Sequence, residues 1–183
     1  NIVHRDVKSA NVLVSRQGAV KVVDFGIAKA AAQLHNSFVG ETKGTPAMMA
    51  PEQRVGSDVD IRVDVYSVGA LAYEILTGQP VNVDFVALAH LGVDNWPHLP
   101  APSSVRPTLP SELDGIVFGA MAFDRERRPA TCEELETQFE RVMQSHQLAA
   151  SDKDLARWVL DELRMLIPTT QLLARTTRPV THD

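Results

Sequence analysis

Two apolar, β-prone runs, residues 10 to 14 and 19 to 23, flank Ser15-Arg16-Gln17-Gly18, and no strand pattern follows residue 23. That arrangement constrains the fold more than anything else in the chain. It calls for one hairpin near the N-terminus, with Gly supplying a positive φ at the turn, and for helices thereafter. With Gln17-Gly18 as the turn centre, Val14 pairs with Lys21, Val12 with Val23 and Asn11 with Asp24. An amide and a carboxylate then stand side by side at the open end. This suits magnesium, which prefers oxygen ligands and takes only a few from the protein. A one-residue slip would turn Asp24 to the other face.

The helical part is punctuated clearly. Residues 63 to 77 have the length and apolar density of a buried helix, closed by Gly78. Residues 92 to 110 carry five prolines and read as an irregular loop. A helix is expected over 112 to 123. Thr131-Cys132-Glu133-Glu134 forms a capping box that opens another helix towards Gln147. Ser151-Asp152-Lys153-Asp154 again resembles an N-cap with an acidic first turn. Leu155, Trp158, Val159, Leu163 and Leu166 follow at helical spacing on one face, for docking on the preceding helices or for a partner. Pro168 ends that helix, and residues 169 to 183 read as a polar tail.

Upstream of the hairpin stands His4-Arg5-Asp6-Val7-Lys8-Ser9-Ala10-Asn11. Phosphoryl transfer to a hydroxyl asks a protein mainly for positioning and charge neutralisation. Asp6 can accept or orient the hydroxyl, Lys8 can place a cation near the phosphoryl group, and the Asn11 amide oxygen can hold a metal ion. Taken alone, the tripeptide His-Arg-Asp also fits a polar turn with no chemistry.

Further motifs decide between these readings. Asp24-Phe25-Gly26, Gly44-Thr45-Pro46, Ala50-Pro51-Glu52, Asp64-Val65-Tyr66-Ser67-Val68-Gly69 and Arg125-Glu126-Arg127-Arg128-Pro129 follow in order. Together with the His4–Asn11 segment they resemble the protein kinase family, and its bacterial serine/threonine (Hanks-type) branch in particular, over roughly residues 1 to 145. The resemblance implies an α+β, protein kinase-like fold: a mainly α-helical C-lobe with the catalytic-loop β-hairpin near the N-terminus. It further implies residues 1–147 as that lobe, 148–167 as an extra amphipathic helix and 168–183 as a flexible tail.

Roles follow the same resemblance. Asp6 is the implied catalytic carboxylate, Lys8 the phosphate contact, and Asn11 and Asp24 the magnesium ligands, with ATP and Mg2+ as cofactors. Lys8 with Thr45 resembles the serine/threonine branch, where the Thr hydroxyl bridges the catalytic Asp and Lys. His4 is implied to pack under the metal-binding loop, with no role as a base. Arg5, beside the catalytic Asp, suits a phosphorylated residue of the activation segment, because the guanidinium fork fits phosphate oxygens. Ser37 and Thr42 are the candidate phosphosites. Glu52 and Arg128 are the implied buried ion pair, and Asp64 the buried Asp that binds the backbone of the catalytic loop. Met48 stands where many relatives carry an aromatic residue, which makes substrate specificity unreadable there.

No two glycines are separated by a single residue, so the Gly-x-Gly-x-x-Gly loop that covers ATP phosphates in kinases is absent from this sequence. Ile27-Ala28-Lys29 echoes a strand lysine motif but follows Asp24-Phe25-Gly26. With Asn1 at the start, the expectation is a C-lobe lacking its N-lobe partner, inactive by itself. A net charge of −5 gives no sign of nucleic-acid binding. Cys132, the only cysteine, excludes an internal disulfide and points to a reducing, cytoplasmic setting. No apolar run reaches membrane-spanning length, although an anchor in flanking sequence stays open. The expected function is transfer of the ATP γ-phosphoryl group to a protein hydroxyl. The alternatives are a non-catalytic pseudokinase-like interaction module and a small-molecule phosphotransferase. A scaffold has no need of Asp6, Lys8, Asn11 and Asp24, and the small-molecule enzymes lack the Gly44-Thr45 and Ala50-Pro51-Glu52 segment.

Overall fold

The hairpin forms where the β-prone runs place it, with β1 at Val12–Val14 and β2 at Val20–Val22 in a two-stranded sheet. In this computed structural model the described residues are 2–26, 48–54, 58–81, 96, 99–148 and 150–166. The hairpin register differs from the expected one by a single residue. Ser15 N–H donates to the Ala19 carbonyl at 2.8 Å and Val23 N–H to the Asn11 carbonyl at 2.9 Å. Asn11 therefore lies across from Val23, and Asp24 stands one residue beyond the ladder. The cause is the turn. Gly18 N–H bonds the Ser15 carbonyl and Gly18 itself adopts φ +86, closing a three-residue loop where a two-residue one was expected.

The described helices are α1 (Pro51–Arg54), α2 (Arg62–Thr77), α3 (Pro102–Val105), α4 (Glu112–Ala120), α5 (Cys132–Ser145) and α6 (Asp152–Leu166). Mostly helical with one small sheet, the described residues have a make-up consistent with a kinase-like fold. Helix α2 is the hub, packing against α3, α4 and α5. It buries residues around its circumference, with Val63, Val65, Tyr66 and Ala70 fully out of solvent. An all-round apolar helix of this kind is stable only inside a core. One cluster joins Val63, Tyr66, Ala70 and Tyr73 to Met48, Ala50, Val81, Val117 and Met121. A second joins Val65 to Ala120 and Leu135, with Cys132 and Phe139 against it.

Caps and buried polar contacts fix the boundaries. Helix α2 ends at Gly78, whose left-handed backbone N–H returns to the Glu74 carbonyl. Helix α4 stops at Ala120, three residues short of the expected end, and the Trp96 indole donates to the Met121 carbonyl at 2.6 Å. The capping box at α5 takes an altered form. Thr131 Oγ1 accepts from Glu134 N–H at 3.1 Å, while the Glu134 carboxylate reaches past the cap to Ala130 N–H at 2.7 Å. At α6 the reciprocal pair is Ser151 and Asp154: the Asp154 carboxylate accepts from Ser151 N–H at 2.9 Å and from its hydroxyl at 2.7 Å. These bonds hold the Asp154 carboxyl below the usual carboxylate range.

The chain divides into two compact units, one of Asn1–Val12 with Val22–Leu148 and the other of the hairpin tip Leu13–Lys21 with the C-terminal segment that contains α6. Along α6, Leu155, Ala156, Val159 and Leu163 are partly buried, whereas Trp158 is 60% exposed. The stripe expected to include Trp158 excludes it for a geometric reason. At about 100° per residue, Trp158 falls roughly 115° from the middle of the line those four residues make. Among the described residues no helix is long and apolar enough to cross a membrane.

Candidate active site

The His4–Asn11 loop is held by the hub helix. Asp64, buried in the first turn of α2, accepts His4 N–H at 2.7 Å through Oδ2 and Arg5 N–H at 2.8 Å through Oδ1. Arg5 itself has φ 65, a left-handed conformation that non-glycine residues rarely adopt and that needs surrounding support. Asp64 is one part of that support. The Gln53 amide is another, donating to the Arg5 carbonyl at 3.3 Å while its oxygen accepts Ala50 N–H at 3.1 Å. Sequence reasoning missed Gln53. Its only signal is a polar residue following Pro51-Glu52 in a segment that proves to be buried.

Past Arg5 the chain folds back on itself. A 3-10 turn over Ser9–Asn11, with Asn11 N–H on the Lys8 carbonyl at 2.9 Å, returns two side chains to Asp6. Lys8 Nζ lies 2.9 Å from Asp6 Oδ2. Asn11 Nδ2 donates to the Asp6 carbonyl at 2.8 Å and to Asp6 Oδ2 at 3.1 Å. The ammonium and the amide therefore converge on one carboxylate oxygen. Because both Asn11 bonds use the amide nitrogen, its Oδ1 stays an acceptor with no hydrogen bond among the described residues.

Opposite this loop stand Asp24, Phe25 and Gly26. Asp24 also has a positive φ, 60, and leaves the strand direction as the ladder ends. Its carboxylate is exposed and makes no hydrogen bond or ion pair among the described residues. Phe25 stacks on His4 with ring centroids 4.5 Å apart. His4 Nδ1 accepts Asp6 N–H at 3.3 Å, which leaves the ring proton on Nε2 to donate to the Val23 carbonyl at 3.2 Å. His4 thus clips the two segments together. Gly26 completes the clip: its N–H donates to the His4 carbonyl at 2.8 Å, and a Cβ there would sit 3.0 Å from that same oxygen. A side chain there would require the His4 carbonyl to give by a few tenths of an ångström, so the approach favours glycine.

Among the described residues, Asn11 Oδ1 and the Asp24 carboxylate have no hydrogen-bond partner, and both are hard oxygen donors, the type magnesium selects. The residues present fit such an ion. Ser37, Thr42 and Thr45 lie outside the described residues.

Away from the site, Glu52 and Arg128 form a bidentate pair, with Arg128 Nη1 2.6 Å from Glu52 Oε1 and Nη2 2.8 Å from Oε2. Arg128 Nε donates to the Ala122 carbonyl at 2.7 Å, Nη1 also to Arg62 and Nη2 also to Phe123, each at 3.1 Å. All five guanidinium donors are used. The cation also lies 5.1 Å from the Tyr66 ring centroid. Burial pushes the Tyr66 phenol far above its ordinary range.

Residues 1–140 match the family profile of the protein kinase domain. The chain belongs to the protein kinase family. Among similar kinases, a tyrosine-protein kinase MasK of Myxococcus xanthus is 41% identical over 146 residues, covering 80% of this chain and 23% of that protein. A serine/threonine-protein kinase PknB of Mycolicibacterium smegmatis is 42% identical over 147 residues, with 77% and 23% covered. A probable serine/threonine-protein kinase PknB of Bifidobacterium longum is 43% identical over 143 residues, with 74% and 20% covered. These matches place the chain with the bacterial Hanks-type kinases, and it spans less than a quarter of each relative's length.

Proposed function

We propose that the chain is the C-lobe of a bacterial serine/threonine protein kinase, which transfers the ATP γ-phosphoryl group to a protein hydroxyl. The observation that carries this reading is the convergence of Lys8 Nζ and Asn11 Nδ2 on Asp6 Oδ2. In the proposed reaction Asp6 orients the acceptor hydroxyl and takes its proton. Lys8 keeps a cation beside that carboxylate, where it also meets the phosphoryl oxygens. Asn11, fixed by its two bonds to Asp6, would hold a magnesium ion through Oδ1, and Asp24 would hold it through its carboxylate. Bound magnesium would supply charge neutralisation on the phosphates. Arg5 receives a phosphorylated Ser37 or Thr42 in the active form. Protein substrate and the ATP-binding N-lobe are the implied partners, on the cytoplasmic side.

Lacking a glycine-rich phosphate loop, the 183-residue chain is inactive by itself under this reading. The test uses the chain alongside a longer protein in which it is joined to an N-lobe, with labelled ATP, magnesium and a panel of Ser, Thr and Tyr peptides. Transfer by the longer protein should fall by about 10²-fold or more on Asp6→Ala, and the chain should match that background. Robust transfer by the chain alone would overturn the proposed division of labour. Since one relative is a tyrosine kinase by name, transfer confined to Tyr peptides would overturn the serine/threonine assignment and leave the kinase reading standing.

A further inference from the structure

The hairpin turn is covered from an unexpected quarter. Gly18, at the tip between β1 and β2, is buried, although its neighbours Arg16, Gln17 and Ala19 are exposed. What covers it is the first turn of α6. A Cβ built on Gly18 would collide with the Asp152 carbonyl group and approach the Ala156 backbone nitrogen to 3.1 Å. Two demands therefore meet at one residue: a left-handed φ for the turn, and no side chain where the helix backbone sits. Only the first was legible in the sequence.

The hairpin has reason to need such a cover. Each strand is three residues long, and a lone two-stranded hairpin is marginal in water. Leu13 and Val20 expose 55% and 54% of their surface, so the strands themselves bury little. Yet the chain runs without a break from this tip to Asn11 on one side and Asp24 on the other. Loosening the tip loosens the register of the two proposed metal ligands.

We propose that α6 is a clamp acting in cis, seated on the Gly18 turn, whose release weakens the use of metal-bound nucleotide by the kinase. This rests on the kinase reading above. Docking is the regulated step: a partner or modification that pulls α6 from Gly18 acts on Asn11 and Asp24 through the strands, without touching either.

The variant that isolates the helix contact is Gly18→Asn. Asparagine tolerates the left-handed region far better than other side chains, so it keeps the turn while placing a Cβ against Asp152. In the 183-residue chain, hydrogen exchange of the α6 amides should speed up by about tenfold or more, with the α2 amides unchanged. In the longer kinase the same variant should raise KM for Mg-ATP several-fold with a smaller change in kcat. Unchanged α6 exchange overturns the clamp. Faster α6 exchange with an unaltered KM overturns its regulatory role. An Asp6→Ala control separates the two readings: if the longer protein shows no transfer above it, the kinase reading fails and the regulatory role falls with it, while exchange still decides the docking.

Discussion

Replacing Arg128 by Met is the sharpest stability test in the molecule, because each consequence can be assigned. The substitution conserves a long, flexible apolar stem and deletes all five donors. Glu52, exposing 12% of its side chain, then keeps its charge with no guanidinium across from it. Breaking a buried pair by removing one partner costs about 3–5 kcal/mol, since the surviving charge is stranded. The Ala122 and Phe123 carbonyls also lose these donors, which favours the upper part of that range. With a urea m-value of about 2 kcal/mol/M for a chain this size, a loss of about 4 kcal/mol moves the unfolding midpoint down by ~2 M. Urea titration followed by tryptophan fluorescence is the assay, in a Trp158→Phe background. That leaves Trp96, whose ring centroid is 6.3 Å from that of Tyr66, as the reporter. The decisive comparison is the double variant Glu52→Gln, Arg128→Met. With no charge left to strand, it should recover at least about 1–2 kcal/mol relative to Arg128→Met alone. A single variant costing under ~1 kcal/mol, or a double variant as unstable as the sum of its parts, would refute the stranded-charge argument.

Three further outcomes are expected. Tyr66→Phe should leave stability within about 0.5 kcal/mol or raise it, because the buried hydroxyl has no hydrogen-bond partner among the described residues and the ring keeps its place under Arg128; a loss above ~2 kcal/mol in the same titration would contradict this. Under the proposed function, Gly26→Ala should reduce phosphoryl transfer by a kinase that joins this chain to an N-lobe, since its Cβ meets the His4 carbonyl, and activity equal to wild type would show that the clip has slack. The third concerns pH. The hydrogen bond from His146 lowers the Glu112 carboxyl below its ordinary value, so its contribution is present above the ordinary glutamate range and is lost as pH falls through the lowered value. The stability gap between wild type and His146→Ala should therefore exist near about pH 5.5 and close below about pH 4; a gap that widens on acidification would count against the pairing.

How far the sequence anticipated the structure depended on which physical signal each element carries. Helix α2 was legible almost to the residue because a long apolar run ending in glycine has one cheap solution, a buried helix with a left-handed cap. The hairpin was legible as an element but not in register. Two- and three-residue turns share the same Gln17-Gly18 signature, and only the Ser15 and Ala19 backbone bond separates them. The α6 stripe was readable for Leu155, Val159 and Leu163, while Trp158, placed on the same face by its i+3 spacing from Leu155, lies beyond the stripe's edge and is exposed. At the site, Asp6, Lys8 and Asn11 announced themselves because a short loop forces neighbours together. Gln53 did not, since its work is done across 48 residues, and Gly26 was legible as part of Asp24-Phe25-Gly26 but not in its bond to the His4 carbonyl.

The grip of Asp64 on His4 and Arg5 also sets an order of events during synthesis. The acceptor carboxylate lies 60 and 59 residues after the two amides it holds. At about 5–20 residues per second, roughly three to twelve seconds pass between translation of the loop and translation of its anchor. Through that interval Arg5 has no reason to stay left-handed, and the proposed catalytic geometry does not yet exist. A nascent chain interrupted before the hub helix would carry every proposed catalytic side chain and none of their arrangement.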